Sequence, residues 1–255
     1  MPQVKLGEAD IYYEDFGSGP PILLLHGMME SGRWLAQLAL RFSTHYRVIL
    51  PDLRGYGRSG PQPRTFPVTF YQRDADDMAA LLTHLGVNEA RVFGTGDGAE
   101  AALLLAITHP TLVQAIVAVD VTGALPESFL PILPQMDSWV DHPGPGQLAQ
   151  RTAAIGVYGL DGVRAIWAGW KEAVRQIIAA GGNISLAQAG AIRCPVLIIN
   201  GADDELNTPA MSRALAAAIP QAELRLVPNT MQLVYDKDKS LRGFHEQITE
   251  WFQAH

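Results

Sequence analysis

The stretch Val92-Phe93-Gly94-Thr95-Gly96-Asp97-Gly98-Ala99 decides the fold, because an extended segment meets a helical one there with almost no loop between them. Residues 90–93 are mostly β-branched and aromatic, whereas the residues that follow are rich in Ala and Leu. A strand that turns sharply into a helix through G-x-S-x-G is the context that exposes a nucleophilic serine. Gly94 and Gly98 match the flanking glycines, but Gly96 stands at the serine position and carries no nucleophile.

Strand and helix patterns alternate on both sides of this turn. A hairpin is expected from residues 4–6 and 11–15. Buried parallel strands are expected at 21–25, 46–50, 90–93, 112–120, 195–200 and 223–227. Helices are expected from Ser31 and at 70–85, 99–109, 209–219 and about 240–253, with Thr208 capping the helix that begins at Pro209. This order predicts an α/β fold with a mostly parallel, doubly wound sheet.

Residues 121–191 interrupt the alternation. No clear strand is present there, five prolines separate short helical pieces, and three of the five tryptophans of the chain fall in this region. A strand-free stretch of ~70 residues inside a parallel sheet requires an explanation. We therefore predict a helical cap over 121–191, inserted in a core formed by 1–120 and 192–255. The alternative is an ordinary loop-rich flank of the core.

The composition of the chain argues against several classes of function. The 255 residues are 48% hydrophobic and 18% charged, which suits one large domain or a domain with a lid. A net charge of −7 argues against nucleic-acid binding, which needs basic surfaces. The single cysteine, Cys194, excludes an internal disulfide, and we expect neither metal nor cofactor. Without an apolar run of ~18 residues or a signal-peptide pattern, we expect a cytoplasmic protein that does not enter membranes, either a monomer or a small homo-oligomer.

Several motifs together resemble the α/β-hydrolase superfamily, namely the turn around Gly96, the turn His26-Gly27 and the segment Asp52-Leu53-Arg54-Gly55-Tyr56-Gly57-Arg58-Ser59. That segment, and an Asp directly after the serine position, resemble the valacyclovir hydrolase (biphenyl hydrolase-like) family. Further matches are Phe66-Pro67, Arg73-Asp74-Ala75, Gly182-Asn183-Ile184 and Cys194-Pro195-Val196-Leu197-Ile198. The resemblance implies an α/β-hydrolase fold with a helical cap. It also implies cleavage of α-amino acid esters by a Ser–His–Asp triad, with an extra Asp, here Asp97, binding the substrate ammonium.

Two of the three triad positions depart from that family. Gly96 replaces the serine and cannot attack a substrate. The family histidine lies four residues after a proline that ends the last strand, and here Pro228 leads to Gln232, whose amide does not titrate near neutral pH. Asp204 matches the triad acid. Without a histidine to orient, its expected role is that of a turn carboxylate that caps the following helix.

The oxyanion hole of this fold consists of backbone N–H groups, and it needs no serine. The resemblance places these donors on Met28 and Asp97. We predict that Asp97 is the main site residue, either as a cation ligand or general base, or as a carboxylate stabilised by the dipole of its helix. Further side chains expected to line the ligand pocket are His26, Trp139, Tyr158 and Trp167, although the tryptophans, like Trp170, also suit a core.

Three functional hypotheses follow. The protein binds a small, amine-bearing molecule without hydrolysing it; or it is a lyase, isomerase or cyclase that uses Asp97 and the oxyanion donors; or it is a serine ester hydrolase inactivated by mutation at Gly96 and Gln232. Shifting the motif by one residue would make Asp97 a nucleophile, as in haloalkane dehalogenases and epoxide hydrolases. That assignment leaves Thr95 and Ala99 at the glycine positions.

Overall fold

One eight-stranded sheet organises the protein. The computed structural model of the chain describes residues 2–144, 147–233 and 241–255, without the side chains of residues 241–243. The strands are β1 Gln3–Leu6, β2 Ala9–Gly17, β3 Pro21–Leu25, β4 Arg47–Pro51, β5 Ala90–Thr95, β6 Val113–Val119, β7 Val196–Gly201 and β8 Ala222–Val227. Their order is β1-β2-β4-β3-β5-β6-β7-β8. The β1–β2 and β2–β4 pairs are antiparallel and the remaining pairs are parallel, which confirms the predicted mostly parallel sheet.

The helices are α1 Ala36–Phe42, α2 Phe70–His84, α3 Asp97–Thr108, α4 Ser138–Asp141, α5 Leu148–Ala179, α6 Pro209–Ala218 and α7 Leu241–Ala254. Thr208 caps α6 as predicted, since its hydroxyl accepts a hydrogen bond from Met211 N at 3.4 Å. The helix expected from Ser31 begins instead with a 3₁₀ turn at Gly32–Leu35, and the Ser31 side chain caps nothing. The predicted start of the last helix at Ser240 lies outside the described residues.

The turn at Gly32 differs from the expected helix start because a distant carboxylate takes over the capping. Asp52, at the end of β4, accepts a hydrogen bond from Gly32 N at 2.7 Å. A free N–H group at the start of a helical turn needs such an acceptor, and local sequence does not reveal one that lies 20 residues away.

Both faces of the sheet are buried, which explains why the parallel strands are continuously apolar. Along β3, Leu23 and Leu25 pack on the side of α2 and α3, whereas Ile22 and Leu24 pack on the opposite side with Phe42 of α1 and residues of α7. Because β3 pairs in parallel with both β4 and β5, the carboxyl ends of these three strands lie at the same edge of the sheet. The candidate site lies at this edge.

Helical elements follow β6 and precede β7. They comprise 3₁₀ turns at Glu127–Phe129, Gln135–Asp137 and Leu186–Ala191, together with α4 and α5. The expectation of short helical pieces is correct only for the proline-containing part, because α5 spans 32 residues with a single interruption at Gly159 (φ 69°, ψ 166°). The division into core and cap at 121 and 191 stays a prediction. In the described ranges, no helix is both long and apolar enough to cross a membrane.

Candidate functional site

The turn between β5 and α3 has the geometry that exposes a side chain at its apex. Gly96 lies between the two elements with φ 51° and ψ −121°, a backbone conformation that favours glycine. Its N–H donates to Val119 O at 2.9 Å, and its carbonyl accepts from Ala99 N at 2.9 Å. Among the described residues, the nearest non-adjacent heavy atom to a Cβ added at Gly96 would be Gly27 Cα, at 3.9 Å. The position therefore has room for a side chain, although the residue there has none.

The flanking glycines are required by close backbone approach. A Cβ on Gly94 would lie 2.6 Å from the carbonyl oxygen of Gly98, and a Cβ on Gly98 would lie 2.5 Å from that of His26. Because these contacts are with backbone, only glycine lets strand and helix approach so closely. This geometry favours Gly96 as the nucleophile position over the shifted assignment to Asp97.

Asp97 lies in the first turn of α3 and is buried, with 7% of its surface exposed. Its Oδ1 accepts a hydrogen bond from the Tyr71 hydroxyl at 3.1 Å, and its Oδ2 accepts one from Trp170 Nε1 at 3.1 Å. Both donors are neutral, so they leave the negative charge uncompensated. Burial raises the pKa of Asp97 to about 7, although the Arg64 guanidinium acts in the opposite direction. A carboxyl of this kind is suited to binding a cation or to transferring a proton near neutral pH.

Arg64, whose charge lowers the pKa of Asp97, forms an ion pair with Asp74. Arg64 Nη2 lies 2.5 Å from Asp74 Oδ2, and neither side chain is exposed. Arg64 also donates to the carbonyl oxygen of Arg54 and lies over the ring of Tyr56, 4.4 Å from its centroid. Arg64 is therefore part of the structural support beneath the site, because its charge is paired with Asp74 and its terminal nitrogens donate to protein groups, although its Nε has no partner among the described residues.

The predicted oxyanion donors lie on the two turns that meet at Gly96. Among the turn and loop hydrogen bonds of the described residues, neither Met28 N nor Asp97 N donates to a protein acceptor. By contrast, Gly27 N donates to Glu30 Oε2 at 2.9 Å. The two predicted amides are thus available to a ligand, and their role as an oxyanion hole stays a prediction.

His26 was expected to line the ligand pocket, but the structure places it inside the protein. Leu53 N donates to its Nε2 at 2.9 Å, and its Nδ1 donates to Gly27 O at 2.8 Å. Burial lowers the pKa of His26 to about 4, so the ring is neutral in the usual range of pH. With both nitrogens bonded to backbone, His26 joins the ends of β3 and β4 and has no nitrogen left for a ligand.

The tryptophans expected near the pocket form one stacked row. The ring centroids of Trp139 and Trp167, and those of Trp167 and Trp170, are each 5.7 Å apart, and all three side chains are buried. Only Trp170, the third of these, donates to Asp97. Trp167 Nε1 has no hydrogen-bond partner in the described part of the chain. The three stacked indole rings are buried as in a hydrophobic core. The Trp170 Nε1 donor is the polar group that connects them to Asp97.

Tyr158 lies on α5 and joins this helix to two core turns. Its hydroxyl accepts from Gly57 N at 2.7 Å and donates to Glu30 O at 3.3 Å. Tyr158 therefore holds the first part of α5 against the turns that follow β3 and β4.

The remaining triad positions lie on neighbouring loops. Asp204 is buried, and its Oδ1 accepts hydrogen bonds from Leu206 N at 2.8 Å and Asn207 N at 2.9 Å. The expectation that it caps the next helix is wrong, because it closes its own turn while Thr208 caps α6. Gln232 is half-buried and follows Thr230, whose carbonyl accepts a hydrogen bond from the N–H of Asp203 at 2.9 Å.

Glu30 is a second buried carboxylate that the sequence analysis missed. It is 5% exposed, and its Oε1 accepts a hydrogen bond from Gln150 Nε2 of α5 at 2.8 Å. Burial, with a smaller contribution from the charge of Asp97, raises the pKa of Glu30 to about 7. The only sequence signal is a carboxyl in the turn after His26-Gly27, which by itself also fits a solvent-exposed turn residue.

Other reactive groups lie away from this edge of the sheet. Cys194 precedes β7 at the opposite end of the strands, and burial raises the pKa of its thiol to about 11, which disfavours a thiolate. Within the described ranges, no three His, Cys, Asp or Glu side chains converge in a way that could hold a metal ion.

Comparison with known proteins shows which proteins this chain is similar to. A family model described as alpha/beta hydrolase fold matches residues 20–143. The serine hydrolase BPHL of Mus musculus is 27% identical over 233 residues, covering 89% of this chain and 78% of that protein. A putative carbamate hydrolase, RutD, from Azorhizobium caulinodans is 38% identical over 121 residues, covering 47% of this chain and 44% of that protein.

Solved structures support the same fold. The 2-hydroxy-6-oxo-6-phenylhexa-2,4-dienoate hydrolase of Rhodococcus sp. strain RHA1 superimposes with a TM-score of 0.80 at 19% identity, covering 97% of this chain and 96% of that one. The enol-lactonase of Burkholderia xenovorans LB400 gives 0.77 at 21% identity, covering 99% of this chain and 100% of that one. At such identities these likenesses concern the fold alone. The chain has the α/β-hydrolase fold, and its sequence resembles that of BPHL and of other α/β hydrolases.

Proposed function

We propose that this protein binds a small, amine-bearing molecule at Asp97 and does not hydrolyse esters through a serine nucleophile. One observation carries the proposal: the turn that would present a nucleophile is intact, yet its apex is Gly96, which has no side chain although a Cβ there would approach Gly27 Cα no closer than 3.9 Å. Acyl transfer needs an attacking atom and a base for its proton, and neither Gly96 nor Gln232 supplies one.

The preference for an amine rests on the surroundings of Asp97. Its carboxyl is buried, its two hydrogen-bond donors are neutral, and Arg64 is already paired with Asp74. A ligand ammonium would add the missing positive charge, and it would be bound more strongly here than in water because the site is desolvated. In the family that the chain resembles, the residue after the nucleophile has this role.

A second candidate is a lyase, isomerase or cyclase that uses Asp97 as a general acid or base. The observation in its favour is the pairing of a carboxyl whose pKa is raised to about 7 with the available amides of Met28 and Asp97. A base poised near neutral pH and two donors for a developing oxyanion suffice for proton transfer next to a carbonyl group. The third hypothesis, an ester hydrolase inactivated by mutation, requires Ser and His codons at positions 96 and 232 of the native gene.

Two measurements test the main proposal. A fluorophosphonate probe and an activated aryl ester should leave the intact mass of the protein unchanged, and a covalent adduct would refute the loss of the nucleophile. Calorimetric titration should detect phenylalanine methyl ester but not methyl 3-phenylpropionate, which lacks the amine. Asp97→Asn should weaken the amine-dependent binding about tenfold or more, in line with loss of a charge-assisted hydrogen bond. Equal binding of the two esters would refute the role of Asp97.

A further inference from the structure

A cavity with a volume of about 590 Å³ lies between the turn that follows β3 and the first part of α5. Neither Gly96 nor Asp97 contributes to its walls. Its apolar lining includes Met29, Leu35, Leu38 and Val157, and the size is within the range of small-molecule sites. The cavity is therefore distinct from the site around Asp97.

The acidic wall of this cavity is Glu30. Its two carboxyl oxygens accept hydrogen bonds from Gly27 N and Gln150 Nε2, which are both neutral donors. In the ranges that the structure describes, no Lys, Arg or His forms an ion pair with this buried carboxyl. Arg33, the cation among the lining residues, is exposed. A buried carboxylate without a cation is costly, and a bound cation would relieve that cost.

Gln150 provides an independent indication that this cavity binds a ligand. It is 5% exposed and lines the same cavity, and its Nε2 donates to Glu30. Its Oε1 is buried and has no hydrogen-bond donor within the described residues. The hydroxyl of Tyr158 cannot serve as that donor, because it donates to the carbonyl oxygen of Glu30. The cavity thus presents two acceptors, a carboxylate and an amide oxygen, which call for a ligand with several donors.

We propose that this cavity is a separate binding site for a primary amine with an apolar chain. The ammonium group is bound by the Glu30 carboxylate and by Gln150 Oε1, since it has three donors and a positive charge. The apolar chain lies against Met29, Leu38 and Val157. A neutral alcohol of the same shape keeps the apolar contacts but lacks the charge, and it binds more weakly.

Calorimetric titration of the whole protein tests this site with 2-phenylethylamine and with 2-phenylethanol as the matched neutral probe. The titrations use the Asp97→Asn background, so that the site around Asp97 does not contribute to amine binding. At mildly alkaline pH, where Glu30 is ionised and the amine is protonated, the amine should bind at least about tenfold more tightly than the alcohol. Glu30→Gln should remove this preference and leave the binding of the alcohol unchanged. The new amide oxygen still accepts from Gly27 N, which favours retention of the fold.

A second variant keeps the test independent of any disturbance at Glu30. Val157→Trp fills the cavity from an exposed position and should abolish binding of both probes, while thermal unfolding stays close to that of the parent. Asp97→Asn is the control for the other site and should leave cavity binding of 2-phenylethylamine intact. Equal affinity for amine and alcohol, or amine binding that survives both Glu30→Gln and Val157→Trp, would overturn the proposal. Loss in Asp97→Asn alone would assign the amine to the Asp97 site and also overturn it.

Discussion

Asp97 and Asp204 are both buried carboxylates at positions where the family has functional acids, but they are held in different ways. The hydrogen-bond donors to Asp97 are Tyr71 of α2 and Trp170 of α5, distant side chains that the fold brings together. The donors to Asp204 are the backbone and side-chain amides of Leu206 and Asn207, which lie within three residues. One carboxylate belongs to a tertiary site and the other to its own turn.

The difference bears on the interpretation of Asp204, which the resemblance assigns to the position of the triad acid. Asp204 stabilises a turn whether or not a histidine is present, because backbone N–H groups in a tight loop need acceptors. No backbone N–H of its own turn donates to the Asp97 carboxylate in the described residues, and Oδ2 accepts a hydrogen bond only from the distant Trp170. Burial of Asp97 therefore raises its pKa, because the charged form is not stabilised. Retention of an acid at position 204 is therefore weak evidence for catalysis, whereas the setting of Asp97 indicates a ligand.

The largest expected effect is on ester hydrolysis, when a serine and a histidine are introduced at positions 96 and 232. We expect Gly96→Ser combined with Gln232→His to produce measurable hydrolysis of an activated ester, at least about 100-fold above either single variant, because nucleophile and base act as a unit. Steady-state kinetics of all four proteins checks this expectation. The double variant should also be labelled by a fluorophosphonate probe.

The rescued enzyme would also sharpen the comparison of the two acids. It should prefer α-amino acid esters, and adding Asp97→Asn should remove that preference while hydrolysis of the neutral ester largely remains. Adding Asp204→Asn should instead lower hydrolysis of both esters. A double variant that folds but stays inactive would show that the pocket no longer accommodates a triad.

The glycines of the turn should separate into two classes. Gly98→Ala places a Cβ 2.5 Å from the carbonyl oxygen of His26 and should lower the free energy of unfolding by about 2–3 kcal/mol. Gly96→Ser meets no such contact and pays only for its positive φ, so a loss of about 1 kcal/mol or less is expected. Chemical denaturation of the two variants measures both values. Equal losses would mean that close backbone approach is not what requires Gly98.

The two carboxylates should differ in how they make stability depend on pH. The pKa of Asp97 is raised from 3.8 to about 7, so the folded protein binds its proton more tightly than the unfolded chain does. Its contribution to the free energy of unfolding is therefore greatest below about pH 4 and is lost as pH rises to about 7. Asp97→Asn should reduce the fall in stability between about pH 5 and pH 8 by about 1–3 kcal/mol.

Asp204→Asn is the matched variant for this measurement. The new amide oxygen still accepts hydrogen bonds from the turn, so we expect a loss of about 1 kcal/mol and no change in amine binding. Denaturation curves across pH, together with the calorimetric titrations, compare the two variants. An unchanged pH profile for Asp97→Asn would mean that burial does not shift the ionisation of that carboxyl.

Much of the fold could be predicted because its signals are local. The continuous apolar run Pro21–Leu25 and the start of α6 at Thr208-Pro209 lie where the sequence places them. The interrupted helix α5 could not be placed in the same way, since its apolar residues also fit separate short helices. Gly159 has a positive φ within this helix, and that conformation depends on how the two halves of α5 pack on the rest of the protein.

The two flanking glycines and the alternation of strands and helices follow from the residues alone, because spacing and the absence of a side chain at Gly96 are properties of the chain. The environment of Asp97 does not, because its donors Tyr71 and Trp170 are 26 and 73 residues away along the chain. Glu30 meets Gln150 across 120 residues. Burial, hydrogen-bond partners and shifted pKa values arise only when such distant side chains pack together, and for this reason only the tertiary structure distinguishes a carboxylate of the site from one of a turn.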